Sequence, residues 1–307
     1  MIRGLFLVVT LAAPTFQLVP SQLYDVNSNA TQRTKRDATE SQQCGKVHNS
    51  PVPLSIGAKA PEGQWPWHVA LYQTQKVDNK YACGGTLVSP RHVITAAHCV
   101  VRRNSNTPPV NKNTLTVHLG KHNLKTSYEG VQLRLVEKIT VHPEFDKSTY
   151  KHNAAIIELK EPVPFTNWVQ PICLWPENQE DLSTILGKEG SVVGWGLDET
   201  GEPSEELKLV EMPVVSHETC IRSYSDFFVR FTSNYTYCAG NKPDVWVCNG
   251  DSGGGMVFRN GDTWYLRGLV SLSVAKQGES RCDPKHYVIF TDIAKILPWV
   301  KQIVDNP

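Results

Sequence analysis

Apolar positions in this chain come in short runs of β-branched and aromatic residues, separated by clusters of Gly, Pro and Asn. The runs are Trp67 to Tyr72, Thr86 to Thr95, Leu115 to Leu119, Val131 to Val141, Ala155 to Leu159, Ser191 to Val193, Tyr265 to Val270 and Tyr287 to Thr291. Many short strands bounded by turn residues predict an all-β barrel or sandwich. Only the tail has a helical period, with Ile296, Leu297, Val300 and Ile303 on one face of Ile293 to Ile303. Pro298 sits inside that stretch and is expected to start or kink the final helix.

The N-terminal part reads differently. Met1-Ile2-Arg3 supplies a positive start and Leu5 to Ala13 an apolar run, the pattern of a secretory signal over 1–20 and too short to span a bilayer. Residues 21–53 are polar and poor in large apolar side chains, so they read as a largely unstructured pro-segment with Cys44 as its anchor. Arg33-Thr34-Lys35-Arg36 within it reads either as a convertase site or as a solvated charge cluster. The folded domain is expected over 54–307. No internal repeat stands out.

Composition adds limits. Of 307 residues, 40% are hydrophobic and 20% charged, and a net charge of +1 gives no pull towards nucleic acid or anionic membrane. Eight cysteines, none spaced as CxxC, fit an oxidising compartment and not a cysteine zinc site, so the chain is expected to be secreted, without metal or cofactor. Asn29 and Asn234 head glycan acceptor triplets. Arg102-Arg103 and Lys121-His122 offer an anionic-ligand patch, though solvated loops explain them more simply.

The chemistry-bearing motifs are Gly63-Gln64-Trp65-Pro66-Trp67, Cys83-Gly84-Gly85, Thr95-Ala96-Ala97-His98-Cys99, Gly194-Trp195-Gly196, Tyr237-Cys238-Ala239-Gly240, Cys248 to Gly254 and Gly268-Leu269-Val270-Ser271. In this order they closely resemble the chymotrypsin-like (S1) serine proteases over about Leu54 to Val304. The resemblance implies two packed six-stranded antiparallel barrels, an active site in the cleft between them, and a C-terminal helix. It also implies a zymogen and a protein or peptide substrate, with another protease as the partner if the chain works by binding. Disulfides Cys83 with Cys99, Cys220 with Cys238, Cys248 with Cys282, and Cys44 with Cys173 are implied as well.

Serine is a poor nucleophile unless a base takes its proton and N–H groups hold the oxyanion. The resemblance assigns Ser252 as nucleophile, His98 as base, and the N–H groups of Gly250 and Ser252 as the oxyanion hole. It also calls for an Asp at the head of the strand after Tyr-x-Asn, to orient the base and balance its charge. Counting back from Ala155 to Leu159 puts Asn153 there, or Ala154 if one residue is deleted. Asp146, seven residues earlier, reaches only by remodelling the loop.

Two further departures accompany it. The register of the freed N-terminus that normally pairs with Asp251 falls at Leu54-Ser55-Ile56-Gly57, behind Pro53. Cuts after Lys46 or Lys59 fall seven residues early or six late, so Asp251 is expected to lack its ammonium partner. In the specificity pocket Trp246 stands six residues before Ser252, where trypsin-like members hold Asp, with Ser273 and Val288 at wall positions. Trp246 either fills the pocket or turns its ring into the core. A trypsin-like preference is not expected, and a small apolar side chain is the best guess for any substrate.

Three readings follow. The first is a secreted serine protease homologue of very low activity that acts by binding in a proteolytic cascade. The second is a working endopeptidase in which another group replaces the lost Asp. The third is a purely structural β domain. The missing carboxylate favours the first.

Overall fold

The computed structural model describes residues 44–48, 59–75, 78–101, 109–126, 129–197, 201–240, 247–248, 250–279 and 282–306. The signal and most of the pro-segment, Asn29, Arg33 to Arg36, Pro53 to Gly57, Arg102-Arg103 and Trp246 lie outside them.

Two closed antiparallel barrels result. The first contains β1 (His68–Gln75), β2 (Asp78–Ser89), β3 (His92–Thr95), β4 (Leu115–Leu119), β5 (Gln132–Val141) and β6 (Ala155–Leu159), paired around in the order β1-β2-β3-β6-β5-β4. The second is built from β8 (Glu189–Gly194), β9 (Lys208–Val215), β10 (Thr236–Ala239), β11 (Gly255–Asn260), β12 (Thr263–Ser273) and β13 (Val288–Asp292). Its order is β11-β8-β9-β10-β13-β12, and β12 pairs back onto β11 to close it. The two-residue β7 (Cys173–Leu174) adds to β12 in parallel.

The alternation read from the sequence is what fills the barrels. Along β4, Leu115, Val117 and Leu119 are buried while Thr116 and His118 are only half-buried. They pack with Val69, Leu71, Leu87 and Ile157 inside the first barrel. Each such aliphatic side chain contributes roughly 1.5–3 kcal/mol by leaving water. Val192, Met212, Val214, Tyr237 and Phe290 fill the second barrel. A third cluster, including Trp67, Ile94, Ile156, Trp195, Leu209 and Leu266, joins strands of both barrels, so the two cannot slide past one another without exposing large apolar surface.

The C-terminal helix runs Ile293–Val304, so it begins ahead of Pro298, which lies inside it. Asp292 starts it instead, its side chain accepting from the Ala294 N–H. The tail is not the sole helical segment. Helices His217–Ser223 and Ser225–Phe231 follow β9, the first capped by Ser216, which accepts from Thr219 N–H at 3.0 Å. At seven residues each they are too short to show a clear apolar period, and the Ser216 cap was their one local signal.

Disulfides join Cys44 to Cys173, Cys83 to Cys99, Cys220 to Cys238 and Cys248 to Cys282. Among the described residues no helix is long and apolar enough to cross a membrane.

Candidate active site

A cleft of about 1000 Å³ is lined by Tyr81, His98, Tyr150, Gly250, Ser252 and Ser273, among others. His98 lies in the one-turn helix Ala97–Val100 that follows β3. Ser252 lies in the loop before β11, which is pinned on both sides: Gly84 N–H donates to Ser252 O at 2.9 Å and Gly253 N–H to Val270 O at 2.9 Å. Gly253 has φ +78°, and a Cβ there would stand 2.1 Å from Thr95 Oγ1 and 2.8 Å from Gly84 O. Only glycine fits that position.

Asp251 is buried, its two oxygens accepting from Gly196 N–H at 2.8 Å and Cys248 N–H at 2.9 Å. Burial pushes its carboxyl up to about 6, against the downward pull of those two N–H groups. Among the described residues no cation stands within ion-pair distance of it. The Gly194-Trp195-Gly196 motif now has a physical reason: a Cβ on Gly194 would meet Asp251 Oδ1 at 2.0 Å, and one on Gly196 would meet Oδ2 at 2.1 Å.

Asn153 stands two residues before the first residue of β6 and is fully buried. Its Oδ1 accepts from the backbone N–H of His98 at 3.0 Å, while Nδ2 lies 2.9 Å from His98 Nδ1 and 2.8 Å from Ser271 Oγ. Its carbonyl accepts from Thr291 Oγ1 at 3.1 Å. The amide cannot be turned over. A backbone N–H only donates, so the atom facing His98 N must be Oδ1, which sets the NH2 group against Nδ1. An NH2 also only donates, so Nδ1 is the acceptor and the neutral imidazole carries its proton on Nε2.

Asp146 does not reach this pair. Its carboxylate accepts from Ser148 N–H and Oγ–H at 2.8 Å and from Thr149 Oγ at 2.7 Å, closing its own exposed loop. Those bonds hold it below the usual carboxylate range. Ala154 is buried beside Asn153 and brings no polar group.

Ser273, at the end of β12, donates to Val247 O at 3.2 Å, while Val288 is buried and paired with it across the sheet without lining the cleft. Asn234 is exposed in the turn before β10. Lys121 and His122 are largely buried, and Lys121 Nζ donates to Thr126 O at 2.9 Å, so they do not form an open anionic patch.

Three contacts escaped the sequence reading. Tyr81 Oη donates to the Gly250 carbonyl, with its ring edge-on to Trp195 at 5.6 Å. Tyr150, at φ +56°, sets its ring 5.6 Å from that of His98. Ser271 was visible only as the last residue of a motif. None of these has a local signal, because each partner lies far away in the sequence.

Comparison with known proteins agrees with the geometry. The profile described as Trypsin matches residues 55–300. Serine protease gd of Drosophila melanogaster is 33% identical over 79% of this chain and 51% of its own length. Proclotting enzyme of Tachypleus tridentatus is 34% identical over 84% of this chain and 68% of its own, and clotting factor C of Carcinoscorpius rotundicauda 33% over 94% and 29%. The chain thus spans about half the length of the first and under a third of the last. With two closed barrels, a glycine-bounded serine loop and His98 facing the same cleft, this chain belongs to the trypsin family of serine proteases.

Proposed function

We propose that the chain is a secreted trypsin-family protein whose own hydrolytic activity is strongly reduced and which acts by binding a protein partner, a protease or its substrate, in a proteolytic cascade. The observation that carries this reading is the Asn153 NH2 group facing Nδ1 of His98. A base that takes a proton from Ser252 needs a lone pair on Nε2 and a negative charge behind the ring. Here Nε2 holds the proton, and an uncharged amide stands where the charge is needed. In a trypsin-family enzyme the change from Asp to Asn lowers turnover about ten-thousandfold. A residual rate above that of water is still expected of such a site, though without an ammonium partner for Asp251 among the described residues the oxyanion hole is not preformed.

Two other features support the same reading. Asp251 has two backbone donors but no ammonium partner among the described residues, and Trp246 stands where a trypsin-like pocket holds Asp. The relatives include two proteins named for clotting, which makes a cascade the natural setting. The eight cysteines, all paired, and the signal-like N-terminus support secretion. The domain limits proposed from the sequence, 54–307, nearly coincide with the residues that match the family.

A second reading, a working endopeptidase, draws on the intact His98 and Ser252 in one cleft. Fluorophosphonate labelling with Ser252→Ala as control separates the two. Slow labelling at a rate near that of the control supports the binding protein, and rapid labelling confined to Ser252 establishes the enzyme.

A further inference from the structure

One residue before Asn153, the chain assembles a second group of chemically active side chains. His142, Glu144 and His152 each bring one ligand atom to within 4.8 Å of the others. Both imidazoles are buried, while Glu144 is exposed and leaves the group open to solvent on one side. His152 Nδ1 lies 3.2 Å from the carbonyl oxygen of Glu144. A carbonyl only accepts, so Nδ1 carries a proton, and in the neutral ring the lone pair sits on Nε2. That lone pair faces the Glu144 carboxylate, with Nε2 and Oε2 3.4 Å apart.

Two electron-rich atoms so placed repel one another unless a proton or a cation lies between them. Zinc bonds of about 2.0–2.1 Å in tetrahedral geometry place neighbouring ligand atoms about 3.4 Å apart. The observed separation matches that of a chelating pair, and also that of an imidazolium on a carboxylate. The third ligand is close by. The His142 ring lies parallel to that of His152 with centroids 4.6 Å apart, and its Nδ1 accepts from Glu144 N–H at 3.2 Å. Stacked rings cannot aim in-plane lone pairs at one point, so His142 must turn about its Cβ–Cγ bond and give up that hydrogen bond. Trp299 beside His142 and Tyr235 beside His152 wall off the imidazoles at 4.7 and 3.9 Å.

We propose that His142, Glu144 and His152 form a site for zinc or a similar divalent transition metal. It departs from the expectation, drawn from cysteine spacing, that the chain takes no metal: this donor set is imidazole and carboxylate, which suits zinc equally. The site also bears on the cleft. His152 has φ +53° and is joined directly to Asn153, so a metal holding its ring fixes the backbone from which the amide reaches His98.

The test uses the full secreted chain, stripped with EDTA and titrated with Co²⁺ and then Zn²⁺. One equivalent of Co²⁺ should give a visible d–d band that Zn²⁺ abolishes. Glu144→Gln and His152→Asn should each weaken binding at least about tenfold. Glu144 is exposed and Asn tolerates positive φ, so both variants keep the fold, which unchanged melting curves would verify. A cobalt spectrum with no band and no bound zinc at micromolar protein overturns the proposal. So does binding that survives either substitution.

Discussion

Ser271 Oγ accepts a hydrogen bond from Asn153 Nδ2 at 2.8 Å, across 118 positions of sequence. A hydroxyl donates as readily as it accepts, so a carboxylate in place of the amide would take the Ser271 proton without moving a heavy atom. The same holds on its other side, where His98 Nδ1–H would donate instead of accepting. The cradle around Asn153 thus fits a carboxylate as well as an amide.

Asn153→Asp is therefore expected to raise fluorophosphonate labelling of Ser252 by up to about ten-thousandfold. Ser252→Ala should abolish the gain. Labelling unchanged by the substitution would place the deficit in the Trp246 pocket or in the pairing of Asp251.

Gly194→Ala tests the seat of Asp251. The added Cβ would stand 2.0 Å from Oδ1, so the carboxylate must leave its two N–H donors and the Ser252 loop must shift. In an Asn153→Asp background this should remove most of the regained labelling while the far-ultraviolet spectrum stays that of the parent. Retained labelling would show that Asp251 does not hold the loop.

Arg267 is fully buried and pairs with Asp292 through two bonds, Nε to Oδ1 at 2.8 Å and an Nη to Oδ2 at 3.1 Å. It also donates to the carbonyls of Gln179 and Glu180 and lies 4.8 Å over the Trp175 ring. Burial pushes the Asp292 carboxyl up more than Arg267 pulls it down, which is the desolvation cost of a buried pair. Arg267→Met should therefore cost about 3–5 kcal/mol in urea unfolding, since it strands Asp292, the cap of the C-terminal helix. A combined Arg267→Met and Asp292→Asn variant should recover part of that loss.

Asp251 also makes a pH prediction. With its folded value near 6 and its ordinary value 3.8, the folded state holds the proton more tightly. Its contribution to stability is complete below about pH 4, declines as pH rises through 6, and costs about 3 kcal/mol above that. Buried His68, held down near 3, acts in the opposite sense and destabilises the fold as pH falls below 6.5. Comparing the chain with Asp251→Asn isolates the first effect: the variant's advantage in urea midpoint should be greater at pH 7.5 than at pH 4. An advantage independent of pH would remove the assigned shift.

Legibility followed the range of the interactions. The β4 and β6 strands stand in the sequence with the limits they have in the fold: β4 because burial of alternate residues is recorded every second position, β6 because a strand buried on both faces reads as a short continuous apolar run. The paired seven-residue helices after β9 were not legible, since two turns are too few to establish a period. Asn153 could be singled out by counting from β6, as a residue type at a position where a carboxylate is called for.

What the sequence by itself determined is an all-β pattern of short strands and, through the resemblance its motifs carry, the two barrels, the serine loop and the position of the odd amide. Only the tertiary structure decided what that amide does. Its orientation depends on the His98 backbone N–H, and its place on the Ser271 hydroxyl at the amide and the Thr291 hydroxyl at the main-chain carbonyl, which arrive from three separate segments. Barrel closure sets those proximities, and hydrogen-bond donors and acceptors can be matched only once the strands that carry them are paired.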